Sequence, residues 1–213
     1  MLPTVIAAVL LSTAPCTLWG QVDLIRDGKK VDASGRVVVY VHKVAATALR
    51  PGNAKKHTIR QIHTEFEPKL LVVQMSDSIE FYNEDKDEHS VFSNAAANTF
   101  EFRKSRQGVT GTKTFMFQGP VRIQCDVHPQ MRADVLVLQN RFWTFVDPNG
   151  TWKISGLPAG SYTVVAWEPN GGVRRQMVTE CSGEAAVAIP PLQEEPEQKP
   201  KRKNGGAYVE YQD

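Results

Sequence analysis

The stretch Cys125-Asp-Val-His128-Pro-Gln-Met131 places a thiol, an imidazole and a thioether within seven residues, and His89 lies 36 positions before Cys125. Each of these groups is a soft or borderline donor. Two His, one Cys and a weakly held Met form the donor set of a blue-copper electron-transfer site. The spacing suits such a site if a strand delivers Cys125 at its end and a short loop folds His128 and Met131 back around the same point. The next strand then leaves at Arg132, while His89 arrives from a neighbouring strand.

The surrounding sequence supplies such strands. In Val121-Arg-Ile-Gln-Cys125 the alternation puts Val121, Ile123 and Cys125 on one face and Arg122 and Gln124 on the other. Similar β-type runs occur at Arg36–Val41, Lys69–Gln74, Ser78–Tyr82, Thr112–Phe117 and Asp134–Leu138, and turn residues separate them. After Asn140 the pattern restarts. The turn signal Asp147-Pro-Asn-Gly150 lies between Arg141–Val146 and Trp152–Ile154, and runs at Ser161–Trp167, Val173–Thr179 and Ala185–Ile189 complete the series. No helical heptad or fixed-period repeat interrupts these runs, so the expected class is all-β. From Pro190 the chain offers little to bury, and residues 191–213 read as a disordered tail. The Pro- and Gly-containing stretch Ala46–Lys56 reads as a linker.

The region from Thr58 to Val137 resembles the cupredoxins. The resemblance is carried by Phe66-Glu-Pro68, Ser78-Ile-Glu-Phe81-Tyr-Asn83, His89-Ser-Val-Phe92 and Cys125-x2-His128-x2-Met131. The short gap before Met131 and the proline after His128 are most similar to amicyanin. The wider chain resembles plastocyanin-like proteins described as methylamine-utilisation proteins. The resemblance implies a Greek-key β-sandwich over 55–139 holding one type 1 copper ion, with His89, Cys125 and His128 as equatorial ligands and Met131 as the axial one. It also implies a partly exposed His128 ring edge as the electron exit. Where the family usually has Asn after the first His, this chain has Ser90, a shorter group expected to leave a looser or water-bridged tie between the ligand loops. The usual Pro-Gly before the Cys strand is reversed here as Gly119-Pro120.

Residues 140–190 resemble a carboxypeptidase regulatory-like (transthyretin-type) β-sandwich, judged by Asp147-Pro-Asn-Gly150 and Gly156-Leu-Pro-Ala-Gly-Ser-Tyr162. Because about 50 residues supply too few strands, residues 21–46 are expected to provide the rest, with the copper sandwich inserted between them.

Composition and charge narrow the alternatives. The 213 residues carry 25 Lys+Arg against 23 Asp+Glu, so nothing marks nucleic acid as a partner. Met1–Gly20 contain no charged residue, and Val5–Leu11 form an apolar run suited to a signal peptide but too short to span a bilayer. Cleavage after Gly20 is expected, which implies a periplasmic or secreted protein without a membrane span in its mature chain. Cys16 would then be lost and Cys181 would remain as a leftover thiol. On the plainer reading Cys125 is a buried small hydrophobe or pairs with Cys181.

The function expected is one-electron transfer between redox-protein partners. The alternatives are a periplasmic copper carrier or sequestering protein and a metal-free β-sandwich scaffold. An enzyme is not expected, because protein side chains would take all four metal positions and leave none for substrate. The acidic run Glu84–Glu88 reads first as a solvated turn and, in its sharper form, as a negative patch steering a cationic redox partner. His42, His57 and His63 read as surface or satisfied core residues. Trp143, Trp152 and Trp167 read as core.

Overall fold

The strand Arg132–Leu138, RADVLVL, has no face left for water: every residue after Arg132 is buried. Alternate side chains of one strand point to opposite faces of its sheet, so a strand buried on both sides must separate two apolar layers. Ala133, Val135 and Val137 enter one core, and Leu136 and Leu138 enter another. The rest of the molecule is arranged around this two-sided strand.

The computed structural model describes residues 14–44 and 53–196. In chain order the first strands are β1 (Cys16–Gln21), β2 (Leu24–Arg26), β3 (Lys29–Val31) and β4 (Val38–Val41). There follow β5 (Lys56–Ile62), β6 (Glu65–Glu67), β7 (Leu70–Gln74), β8 (Ser78–Asn83), β9 (His89–Ser93), β10 (Phe100–Ser105), β11 (Gly108–Thr114), β12 (Gly119–Gln124) and β13 (Arg132–Leu138). The chain ends in β14 (Trp143–Phe145), β15 (Thr151–Leu157), β16 (Gly160–Glu168), β17 (Gly172–Cys181), β18 (Gly183–Ala188) and β19 (Leu192–Gln193). The protein is all-β; among the described residues no helix is long and apolar enough to cross a membrane.

Strands β5–β13 pair only with one another, as a five-stranded sheet β10-β9-β12-β13-β7 and a four-stranded sheet β11-β8-β5-β6. Ile59, Phe66, Ile79, Phe81 and Phe115 from one side meet Val91, Val121, Ile123 and Val135 from the other, all with no exposed surface. The remaining strands form the sheets β14-β4-β16-β17, β15-β1-β18 and β19-β2-β3 around a second core. The chain thus leaves this second group after β4 and rejoins it at β14. The groups meet where Val72, Leu136 and Leu138 pack with Val38 and Trp167, against half-buried Trp143 and Phe145.

Three expectations need correction. The first is the end of the leader. Residues 16–20, read as its last part, belong to the central strand β1, which pairs antiparallel with β15 and parallel with β18. Leu18 has no exposed surface. The apolar run Val5–Leu11 lies outside the described residues.

The second is the cysteine pairing. Cys16 and Cys181 form a disulfide, with Cα atoms 5.6 Å apart, which ties β1 to the end of β17. Cys181 is therefore not a leftover thiol, and Cys125 is not its disulfide partner.

The third is the start of the tail. Leu192 is buried and pairs with Leu24. The Glu194 carboxylate accepts hydrogen bonds from Arg26 and Arg36. Burial raises the Glu194 pKa, but the two guanidiniums more than offset this and hold it below the usual carboxylate range. Order therefore continues past residue 190, because a single buried leucine and a doubly paired carboxylate stitch the segment to β2. The tail beyond residue 196 and most of the linker 46–56 lie outside the described residues.

These observations set a clear expectation for the N-terminal strand. Cys16→Ser should lower the unfolding free energy by about 2–4 kcal/mol, the usual effect of opening a long disulfide-closed loop, read from urea denaturation. A chain starting at Gln21 lacks a central strand and should fail to give a cooperative unfolding transition. A Gln21-start chain as stable as the longer one would contradict the assignment of β1.

Candidate metal centre

Strand β12 alternates as its sequence demands: Val121 and Ile123 point into the core, and Cys125 follows them at the strand's end with 1% exposure. The antiparallel pair Gln124 and Arg132 closes the base of a seven-residue loop, 125–131. Within the loop the Met131 N–H donates to the His128 carbonyl at 3.0 Å, and the Cys125 N–H donates to the Met131 carbonyl at 3.3 Å. These two bonds turn the chain back on itself, so His128 is returned over Cys125. Met131 is 1% exposed and belongs to the same apolar core as Cys125.

His89 opens β9, a strand buried along its whole length, and has no exposed surface. Its Nδ1 lies 3.0 Å from Nδ1 of His128. One donor atom each from His89, Cys125 and His128 falls within 4.8 Å of the others. Three of the four sequence-derived site residues are thus drawn to one point, and the fourth, Met131, is a buried member of the same loop. His128 is half-buried, whereas the other three are buried.

The ring orientation of His89 follows from a residue that sequence reading passed over. Its Nε2 is 2.8 Å from Oδ2 of Asp85. The Asp85 carboxylate also accepts backbone N–H groups from His63 at 2.7 Å and Thr64 at 2.9 Å. Burial raises the Asp85 pKa, but the Thr64 N–H, the His89 ring and the His63 N–H together hold it below the ordinary carboxylate value. An ionised carboxylate can only accept, so Nε2 of His89 carries the hydrogen; in the neutral ring the Nδ1 lone pair then faces His128. Asn83 fixes the segment that carries Asp85: its Oδ1 accepts the Asp85 N–H at 2.9 Å, and its Nδ2 donates to the carbonyls of Asp87 and Ser105.

Ser90 also differs from expectation. Its hydroxyl oxygen accepts the Asp126 N–H at 2.9 Å and lies 3.8 Å from the Cys125 sulfur. The short side chain therefore joins the two ligand segments directly, and the tie is neither loose nor dependent on water. The Val127 N–H points at the same sulfur at 3.4 Å. A sulfur that accepts hydrogen bonds in a water-poor pocket has part of its negative charge dispersed when deprotonated.

The acidic run is largely engaged in local pairs. Glu84 pairs with Arg60, Glu88 with Arg106 and Asp85 with His89. Lys86 adds a positive charge within the run. His57 is satisfied by Asp77 at 3.0 Å.

The donor chemistry fits copper. Two imidazole nitrogens at van der Waals distance or closer repel through their lone pairs unless a proton or a metal ion lies between them. A buried thiol beside them makes the pocket soft. Asp85, Ser90 and the Val127 N–H occupy the positions of outer groups that orient and tune a metal site.

No family model matches this chain, and no curated protein does. Solved structures resemble part of it. A copper-containing nitrite reductase from Thermus scotoductus SA-01 is 24% identical with a TM-score of 0.38; the match covers 47% of this chain and 26% of that one, so the chain spans about a quarter of the reductase. A mutant of amicyanin, in its reduced Cu(I) form at pH 4, is 20% identical with a TM-score of 0.35, over 48% of this chain and 98% of its own. A purple cupredoxin from Nitrosopumilus maritimus is 17% identical with a TM-score of 0.34, over 38% and 98%.

Asp85 gives the test of this arrangement. Asp85→Ala removes the acceptor of two backbone N–H groups and one ring N–H, and should cost about 1–3 kcal/mol at neutral pH in the metal-free protein. Because the folded pKa of Asp85 is lowered, its contribution is complete above the ordinary carboxylate pKa and is lost as pH falls through the folded value. The stability gap between wild type and variant should therefore shrink below about pH 4. A gap that stays constant on acidification would remove Asp85 from this role.

Proposed function

We propose that this protein is an exported type 1 copper protein that carries single electrons between redox partners. The single observation carrying the reading is the convergence of His89, Cys125 and His128, with donor atoms within 4.8 Å of one another, from two separate segments of one sandwich. His89 and His128 would supply imidazole nitrogens, Cys125 the thiolate and Met131 the weak axial thioether. When bound, one copper ion would supply the Cu(I)/Cu(II) couple.

The chain's own contribution is to keep the donors in place whatever the charge of the ion. Asp85 fixes the His89 tautomer, Ser90 ties the His89 strand to the Cys125 loop, and the closed loop 125–131 limits how far His128 and Met131 can move. Such a frame reduces reorganisation on electron transfer, which distinguishes a carrier from a site that opens to release its metal. Half-buried His128 is the ligand nearest to solvent and is the natural point of exchange with a partner. Were Met131 to take the fourth position beside His89, Cys125 and His128, no place would remain for a substrate, so we assign a carrier and not an enzyme.

Export is supported by the Cys16–Cys181 disulfide, since disulfides persist in oxidising compartments such as the periplasm. A leader, on this reading, ends before Cys16. By the transthyretin-like resemblance, the second group of strands supports the copper sandwich.

Cu(II) added to the purified metal-free protein should be taken up at one ion per chain and give an intense visible thiolate-to-copper absorption. Cys125→Ser should abolish the colour while leaving the Cys16–Cys181 bond intact. A colourless wild-type protein, or an unchanged spectrum in Cys125→Ser, would overturn the assignment.

A further inference from the structure

We propose that Asn170, in the turn between β16 and β17, is a positioning residue for the ligand loop, so that the second group of strands acts on the metal centre instead of only carrying it. This rests on the copper reading above for its effect on the metal, but not for its effect on the loop.

The loop 125–131 is held between β12 and β13, and each of these arms sends an arginine toward the same carboxamide. Arg132, the residue immediately after Met131, donates through Nη2 to Asn170 Oδ1 at 2.9 Å. Arg122, on the opposite arm, donates through Nη2 to the Pro169 carbonyl at 3.2 Å and to Asn170 Oδ1 at 3.4 Å. Between the two guanidiniums sits Asp134, 7% exposed. Its Oδ1 accepts from Arg122 Nε at 2.9 Å, and its Oδ2 is 3.9 Å from Arg132 Nε. One carboxylate thus faces two cations, and the Asn170 oxygen supplies a further acceptor that both share.

Asn170 can serve as a fixed point because its own turn is tied down. Its N–H donates to Glu168 Oε2 at 2.7 Å, and the Gly171 N–H donates to the same oxygen. Glu168 is 2% exposed, and its other oxygen is 3.3 Å from Arg36. Hydrogen bonds to charged groups are the stronger kind. An arginine whose side chain is 12% exposed loses such a bond at a cost, because water does not fully replace the missing acceptor.

The structure also provides room for the consequence. A cavity of about 520 Å³ lies where the two strand groups meet, lined among others by Lys69, Gln130, Arg132, Glu168 and Asn170. Without the Asn170 oxygen, Arg132, which lines this space, loses one of the contacts that fix its side chain. The adjoining backbone is that of Met131, whose carbonyl accepts the Cys125 N–H and whose N–H donates to the His128 carbonyl. Movement at Arg132 therefore reaches three of the four donor residues through two hydrogen bonds.

The test compares Asn170→Ala with Asn170→Asp in the full chain. The aspartate keeps an oxygen acceptor and should rescue what alanine loses. In the metal-free proteins, amide hydrogen exchange should be roughly tenfold faster for Val127 and Met131 in Asn170→Ala. Ile79 and Phe81 in β8 should be unchanged, and Asn170→Asp should exchange as wild type does. After copper loading, Asn170→Ala should shift the thiolate-to-copper bands and lose copper faster to a chelator. No local acceleration in Asn170→Ala, or an equal acceleration in β8, overturns the proposal. If the wild type takes up no copper, the copper reading falls alone, and the exchange comparison still decides the role of Asn170.

Discussion

Two imidazole nitrogens held 3.0 Å apart beside a buried thiol constitute the demand that the rest of this structure meets. Left to themselves, a histidine and a cysteine on separate strands would turn away from each other, each to find water. Here water is largely excluded, since His89 has no exposed surface and Cys125 has 1%. Buried polar groups without partners are costly, so every group around the cluster is assigned one. Nε2 of His89 goes to Asp85, the Cys125 sulfur receives the Val127 N–H, and the Ser90 hydroxyl bridges the two segments. What remains is a set of donor atoms aimed inward, as a soft cation would require.

The two-sided strand β13 joins this cluster to the rest of the chain. One face completes the core beneath Cys125, and the other forms the apolar contact with Val38 and Trp167. Its first residue, Arg132, is also the exit of the ligand loop. An interface that is apolar along the strand and polar at the loop end combines two functions: the hydrophobic part gives adhesion without direction, and the guanidinium–carboxamide contacts give position. This is why a second strand group beside a self-contained sandwich can influence chemistry at one end of it.

Much of this was legible in the sequence, for physical reasons. The alternation in Val121–Cys125 fixes the face of the thiol, and the distance from Cys125 to Met131 fits a single tight loop. The β class follows from the dense β-branched runs. What escaped was written in long-range pairings that no local pattern encodes. Nothing near Cys16 announces Cys181, 165 positions away, and an apolar strand after an apolar leader-like run looks like its continuation. Leu192 is one hydrophobic residue in a polar stretch, and its pairing with Leu24, together with the Glu194 ion pairs, shows that the stretch is ordered. Asp85 was hidden by company: among five charged residues in a row, the four-residue spacing to His89 was the one signal available. The apolar run Val135–Leu138 at the end of β13 could have indicated a segment buried on both faces, since a half-exposed strand would alternate.

Copper X-ray absorption on the stoichiometrically loaded protein decides whether these side chains share one ion, because it counts the atoms bound to it. One short copper–sulfur contact and two imidazole nitrogens are expected, with the short sulfur contact absent when Cys125 is replaced by serine. A first shell of nitrogen and oxygen alone in the wild type would contradict this expectation.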